Sequence, residues 1–261
     1  QRIKDPNFLR LIGRFLKVGV VEEGKLIHFE EGTPQGAVLS PVLANIYLHF
    51  CLDLWFEKII KKEAKGFVQL NRYADDFIAL FQSSKEAEEF GRRLRQRLSK
   101  FGLKIAEEKS RIIPFGRYVW HRAQKEAKEL DTFDFLGFTH YCDKTRGGKF
   151  KLGRKTTSKK FRQKAKQMNQ WLKSVRNQVK LRKWWKLLEI KLIGHYRYYG
   201  ISGNMPAMRA FYTLTFRLAH KWINRRSQKR SYNWRQFQNF VKYNPLPLPK
   251  IYHLTYTLSS H

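Results

Sequence analysis

Tyr73-Ala74-Asp75-Asp76 sets two adjacent carboxylates between two runs of apolar and β-branched residues. Val68-Gln69-Leu70-Asn71-Arg72-Tyr73 and Phe77-Ile78-Ala79-Leu80-Phe81 are rich in residue types that favour strands, so the spacing predicts a hairpin whose tip holds Asp75 and Asp76 clear of the sheet. Hard divalent cations take oxygen ligands, and two of them about 4 Å apart stabilise both the attacking and the leaving oxygen of a phosphoryl transfer. Magnesium-dependent nucleotidyl transfer is therefore the first chemistry to test, with Asp75 and Asp76 as metal ligands. Taken by itself the dipeptide also suits a plain polar turn, because aspartate is a common turn residue.

The surrounding pattern must position that turn. Apolar residues from Ile3 to Val18 recur near helical spacing, with Asp5 and Pro6 as helix-start residues, and Leu26-Ile27-His28-Phe29 reads as a short strand. The Gly/Pro-punctuated loop Gly32 to Pro41 leads into an apolar helix from Val42 to about Ile60, whose charge-poor N-terminal half reads as buried. After the hairpin, Ser83 and Glu86 form a capping-box pattern, Phe90, Leu94 and Leu98 make an i, i+4 stripe, and Gly102 ends the helix. Short strands are expected at Leu103 to Ala106, at Ser110 to Phe115 around Glu107-Glu108-Lys109, and at Thr132 to Phe138. This is an α+β layout through about residue 143. Lys144-Thr145-Arg146-Gly147-Gly148-Lys149 reads as a linker. A helical stretch follows over residues 144–240, with about three helices before residue 200 and one from Met205 to Arg226. Residues 241–261 are expected to be extended, because Pro245, Pro247 and Pro249 cannot continue a helix.

Charge is distributed unevenly along the chain. The net charge is +32 over 261 residues, yet residues 1–143 hold 24 Lys/Arg against 20 Asp/Glu, while residues 144–261 hold 29 against the single acid Glu189. Such a surface repels itself unless a polyanion neutralises it, and release of counterions from phosphates is the usual source of affinity. An anionic membrane fits less well: no apolar run reaches 18 residues, no signal-peptide pattern is present, and aromatics are interleaved with the cations. Cys51 and Cys142 support neither a disulfide framework nor a zinc site, which points to a reducing, cytoplasmic setting.

With these segments laid out, the chain resembles group II intron-encoded reverse transcriptase/maturases over essentially its whole length. The resemblance rests on blocks in order: Gly32-Thr33-Pro34-Gln35-Gly36 with Leu39-Ser40-Pro41 and Ala44-Asn45, then Tyr73-Ala74-Asp75-Asp76, then Glu108-Lys109-Ser110, then Phe133-Asp134-Phe135-Leu136-Gly137-Phe138. Leu192 to Gly200 is similar to the maturase-specific thumb region. The resemblance implies a reverse-transcriptase palm, an antiparallel sheet with helices on one face, followed by an α-helical thumb/maturase domain. It implies that Asp75 and Asp76 hold two magnesium ions, and that Lys109 lies near the triphosphate as acid or electrostatic stabiliser of the leaving pyrophosphate. Tyr73 belongs to the same block, Gln35 and Gly36 would face the templating pair, and Leu136 and Gly137 would support the primer 3′ end. Ala37 departs from the pattern where a second glycine is usual.

The implied partners are intron RNA, an RNA template with a DNA primer, and dNTPs. Family members carry fingers and a third catalytic aspartate on an earlier strand. Asp5, a helix-start residue, does not replace that aspartate. The expectation is that this chain does not polymerise by itself and needs an N-terminal fingers and palm segment. The alternative is a non-catalytic RNA-binding maturase fragment that assists splicing.

Lys155, Lys159, Lys160, Arg162, Lys164 and Lys166 crowd one segment, and Arg225, Arg226, Lys229 and Arg230 another. Charge runs are often just solvated faces, yet these have almost no acids to pair with, which favours phosphate contact. Trp184, Trp185, Tyr196, Tyr198 and Tyr199 are candidates to stack on bases. Aromatics at helical spacing more often pack in a core, the role expected of Trp171, Trp184, Tyr198 and Trp222.

Overall fold

The computed structural model of the chain describes residues 4–17, 20–22, 25–27, 39–126, 129–226 and 232–254. It divides into two compact units, Gln1–Ile113 and Pro114–His261, each with its own hydrophobic core. Small antiparallel sheets combine with helices in an α+β chain.

In the first unit, helix α1 (Pro6–Lys17) starts at Asp5, whose Oδ1 accepts the backbone N–H of Asn7 at 2.8 Å and of Phe8 at 3.3 Å. Strands β1 (Val20–Glu22) and β2 (Lys25–Ile27) pair antiparallel. Helix α2 (Ser40–Leu48) runs on through the wider π turns His49–Asp53 and Phe56–Ile60 into α3 (Lys61–Glu63). The apolar N-terminal half of this run is not buried as expected. Val42, Ile46 and Phe50 are each more than half exposed, and the core contribution begins only at Cys51, Leu52, Phe56 and Ile60.

Strands β3 (Val68–Tyr73) and β4 (Asp76–Phe81) form the expected hairpin, in the register Val68↔Phe81 through Tyr73↔Asp76. The two-residue period turns Val68, Leu70, Phe77, Ala79 and Phe81 toward the core, where helix α4 (Ser84–Ser99) buries Phe90, Leu94 and Leu98. Phe56 meets Phe90 edge to face at 5.6 Å, a packing preferred by aromatic quadrupoles. The capping box does not form. Ser83 makes no side-chain cap, and Glu86 Oε1 instead accepts the backbone N–H of Lys65 at 2.8 Å. Residues 103–106 and 110–115 carry no strand; they flank a 3₁₀ turn, Glu107–Lys109, and Leu103 and Ile105 pack on the core without a ladder.

The second unit begins earlier than the break expected at residue 144. Strand β5 (Phe133–Phe135) pairs with β6 (Phe138–Lys144), and β6 pairs with β7 (Phe150–Thr156), so the supposed linker is a hairpin turn closed by Thr145 N–H donating to the Lys149 carbonyl at 2.7 Å. Helix α5 (Arg117–Glu126) precedes this sheet and buries Trp120 and Ala123. Two long helices follow before residue 200, not three: α6 (Ser158–Gln178) and α7 (Leu181–Tyr199). Helix α8 (Met205–Ile223) comes next, and then α9 (Trp234–Tyr243), capped by a reciprocal Asn233/Gln236 box. Residues 245–250 carry neither helix nor strand, consistent with Pro245, Pro247 and Pro249 stopping a helix, while residues 241–243 belong to α9. The core gathers Leu172, Trp184, Leu188, Leu192, Tyr196, Met208, Phe211 and Phe237. Buried Asn204 ties strand to helix: Nδ2 donates to Thr156 Oγ1 and to the Tyr199 carbonyl, both at 2.9 Å, and Oδ1 accepts Thr156 N–H at 2.8 Å.

Candidate functional site

At the tip of the β3–β4 hairpin, Tyr73 pairs with Asp76, which leaves Ala74 and Asp75 as the turn. Ala74 adopts φ 54°, a left-handed conformation that costs an L-residue on the order of 1 kcal/mol. Arg72 holds it there. Nη1 donates to the Ala74 carbonyl at 2.7 Å and to Asn45 Oδ1 at 2.7 Å, while Nε and Nη2 donate to Asp53 Oδ1 and Oδ2 at 2.8 and 2.6 Å. The Arg72 hydrogen bonds hold the Asp53 carboxyl below its ordinary range, and His49 Nδ1 at 3.4 Å adds to this. Asp53 in turn raises the Arg72 guanidinium. The carboxylate turn is thereby fastened to the α2 run at two points. The sequence reading missed this clamp, though a signal existed: Arg72 follows Val68 and Leu70 on the inward face, and an arginine at an inward position requires a carboxylate.

Asp75 and Asp76 are exposed. Asp76 shares the outward face of the hairpin with Tyr73, which is 67% exposed. Among the described residues no group of three or more His, Cys, Asp or Glu is placed to hold a metal. The donors present still fit magnesium, which is commonly bound through one or two carboxylates, keeps several waters and completes its shell with substrate phosphates. Lys109 is exposed at the end of the 3₁₀ turn. That turn is fixed to α4 by Arg95, whose Nε and Nη2 donate to Glu107 at 2.8 and 2.9 Å and whose Nη1 donates to the Gly91 carbonyl at 2.9 Å. Gln35 and Gly36 lie outside the described residues.

In the second unit Leu136 (φ 49°) and Gly137 (φ 82°) form the two-residue β5–β6 turn, both left-handed as a type I′ hairpin demands. Tyr198 Oη donates to the Leu136 carbonyl at 3.1 Å, and the Gly137 carbonyl accepts Thr157 N–H at 3.0 Å, so the turn is docked on the ends of α7 and α6. Lys155, Lys159, Lys160, Arg162 and Lys166 are exposed, whereas Lys164 is half-buried. Lys159, Arg162 and Lys166, at i, i+3 and i+7, lie on the face of α6 opposite Met168 and Leu172. Arg225 is exposed and Arg226 half-buried; Lys229 and Arg230 lie outside the described residues. Trp184, Trp185, Tyr196 and Tyr199 are buried and cannot stack on bases; Tyr198, expected in the core, is 56% exposed. No helix among the described residues is long and apolar enough to cross a membrane.

The family of the segment that carries this hairpin is shown by comparison with known proteins. The chain belongs to the reverse transcriptase (RNA-dependent DNA polymerase) family, which matches residues 2–140. Within it the likeness is to group II intron-encoded reverse transcriptase/maturases. The group II intron-encoded protein LtrA of Lactococcus lactis subsp. cremoris is 52% identical over 48 residues, 18% of this chain and 8% of that protein. The uncharacterized 91 kDa protein in the cob intron of Schizosaccharomyces pombe is 48% identical over 58 residues, 22% of this chain and 7% of that protein. Protein YkfC of Escherichia coli K12 is 31% identical over 110 residues, 33% of this chain and 29% of that protein. The matched stretches thus span less than a third of these relatives' own lengths.

Proposed function

We propose that this chain is the palm and thumb/maturase portion of a group II intron-encoded reverse transcriptase, with palm from the first unit, Gln1–Ile113, and the helical thumb from α6 to α9 of the second. The observation that carries the reading is the Asp75-Asp76 turn, exposed at a hairpin tip and fastened by Arg72, inside a segment of the reverse transcriptase family. Two bound magnesium ions would activate the primer 3′ oxygen and neutralise charge on the leaving pyrophosphate. Asp75 and Asp76 present the oxygens that hold them. Lys109, a compact cation on a braced turn, stabilises the leaving phosphates. The Leu136-Gly137 turn supports the primer end, and Gln35 and Gly36 face the templating pair. The exposed cations of α6 hold intron RNA or template backbone. The family resemblance implies a third carboxylate and a nucleotide pocket beside these two aspartates for polymerisation. The unpaired thiols of Cys51 and Cys142 suit a reducing, cytoplasmic setting.

Asp75→Ala tests this reading. It should abolish cDNA synthesis by the complete enzyme while leaving RNA binding near wild type. Splicing support that persists alongside cDNA synthesis that is absent even in the wild type would instead favour a non-catalytic maturase, a reading encouraged by the 29 cations after residue 143.

A further inference from the structure

Trp222 lies near the C-terminal end of α8, 5% exposed, with Nε1 donating to Asn169 Oδ1 at 2.8 Å. Three cations converge on its ring. The Arg176 guanidinium, from the last turn of α6, sits 4.8 Å from the ring centroid, Lys221 Nζ 5.2 Å away and the Arg225 guanidinium 5.6 Å away. Arg176 is on α6, 45 residues or more before Lys221 on α8 and Arg225 just past its end, so folding, not local sequence, brings Arg176 to the other two. The ring face and the carbonyl ends of α6 and α8 offset part of the mutual repulsion. No carboxylate does: among the described residues none of the three forms an ion pair, and Glu189, the sole acid after residue 143, is engaged by Lys186 at 2.9 Å.

We propose that Arg176, Lys221 and Arg225 form a phosphate subsite that grips the RNA backbone; this rests on the RNA-binding reading above and assigns that binding a specific place. Trp222 is too buried to accept a base, so the site senses charge and not sequence. Arginine forks accept a phosphate through paired N–H groups, and the lysine adds a compact point charge. Arg176 stands ten residues beyond Lys166 on α6, about 15 Å along the axis and turned toward the Leu172 side, so the subsite is separate from the exposed cations at the start of that helix.

The test is the salt dependence of binding of a fluorescent single-stranded RNA to the full chain, measured by anisotropy. The triple variant Arg176→Gln, Lys221→Gln, Arg225→Gln should flatten the slope of log K against log salt by about 1.4 to 2, two to three phosphate contacts at about 0.7 each. Arg176→Lys with Arg225→Lys, which keeps the charge, should retain the wild-type slope. A folded triple variant with an unchanged slope overturns the subsite alone. A wild-type chain that does not bind the RNA overturns the RNA-binding reading as well. If the triple variant melts early, the exposed single variant Arg225→Gln decides: a slope reduced by about 0.7 supports the subsite, and no change overturns it.

Discussion

Arg72 and Asp53 meet through two parallel hydrogen bonds of 2.8 and 2.6 Å, and the remaining Arg72 nitrogen holds the Ala74 carbonyl at 2.7 Å. One guanidinium therefore fastens the carboxylate turn to the α2 run. Arg72→Ala should destabilise the first unit by about 2 kcal/mol, the scale of losing hydrogen bonds to a charged group, and release the turn; chemical denaturation and amide exchange at Ala74 to Asp76 measure both.

The same pair gives a signed pH dependence. Arg72 holds the Asp53 carboxyl below its ordinary value of 3.8. Its contribution is thus complete above that value and is lost as pH falls through the lower folded value. Asp53→Asn should be less stable than wild type near neutrality, and the gap should close below about pH 4. A gap that persists in acid would contradict the assignment.

His195 titrates in a different window. Its ring stacks on Phe211 at 3.8 Å, and burial, with a contribution from Lys164, lowers its pKa to about 4 from 6.5. The unfolded chain takes up the proton first, so the stabilising contribution is full above 6.5 and declines as pH drops toward about 4. In His195→Gln the second unit should lose less stability across that interval than wild type, as read from thermal melts at stepped pH.

Two glycines of the second unit should respond in opposite directions. A Cβ on Gly200 would stand 2.3 Å from the Tyr196 carbonyl oxygen and 2.7 Å from that of Lys250, both backbone atoms, where the extended segment donates Tyr252 N–H to the Gly200 carbonyl. Gly200→Ala should cost about 2 kcal/mol and loosen residues 250–253. Gly194 is exposed within α7 with nothing inside 4 Å, so Gly194→Ala should gain about 0.8 kcal/mol in the same unfolding experiment.

Much of the scaffold was legible where local periodicity decides structure: the β3–β4 hairpin alternates in steps of two, and Phe90, Leu94 and Leu98 repeat on one helix face. Features set by tertiary pairing were not legible. Gly147 and Gly148 read as a linker, but β7 pairs with β6, so the pair sits in a hairpin turn. Glu86 left its expected cap for the Lys65 amide, and the apolar face of α2 is exposed because no described element of its unit covers it. The carboxylate turn was visible as a dipeptide. Its Arg72 clamp was not, because Asn45 and Asp53 lie 27 and 19 residues away in the chain.

The most direct measurement is primer extension on an RNA template with magnesium, using the chain supplemented by an N-terminal fingers and palm segment, with wild-type Asp75 or with Asp75→Ala. Nucleotidyl transfer at this turn yields cDNA from the wild-type pairing only. Equal synthesis by both pairings would contradict the assignment of the Asp75-Asp76 turn as the site of nucleotidyl transfer.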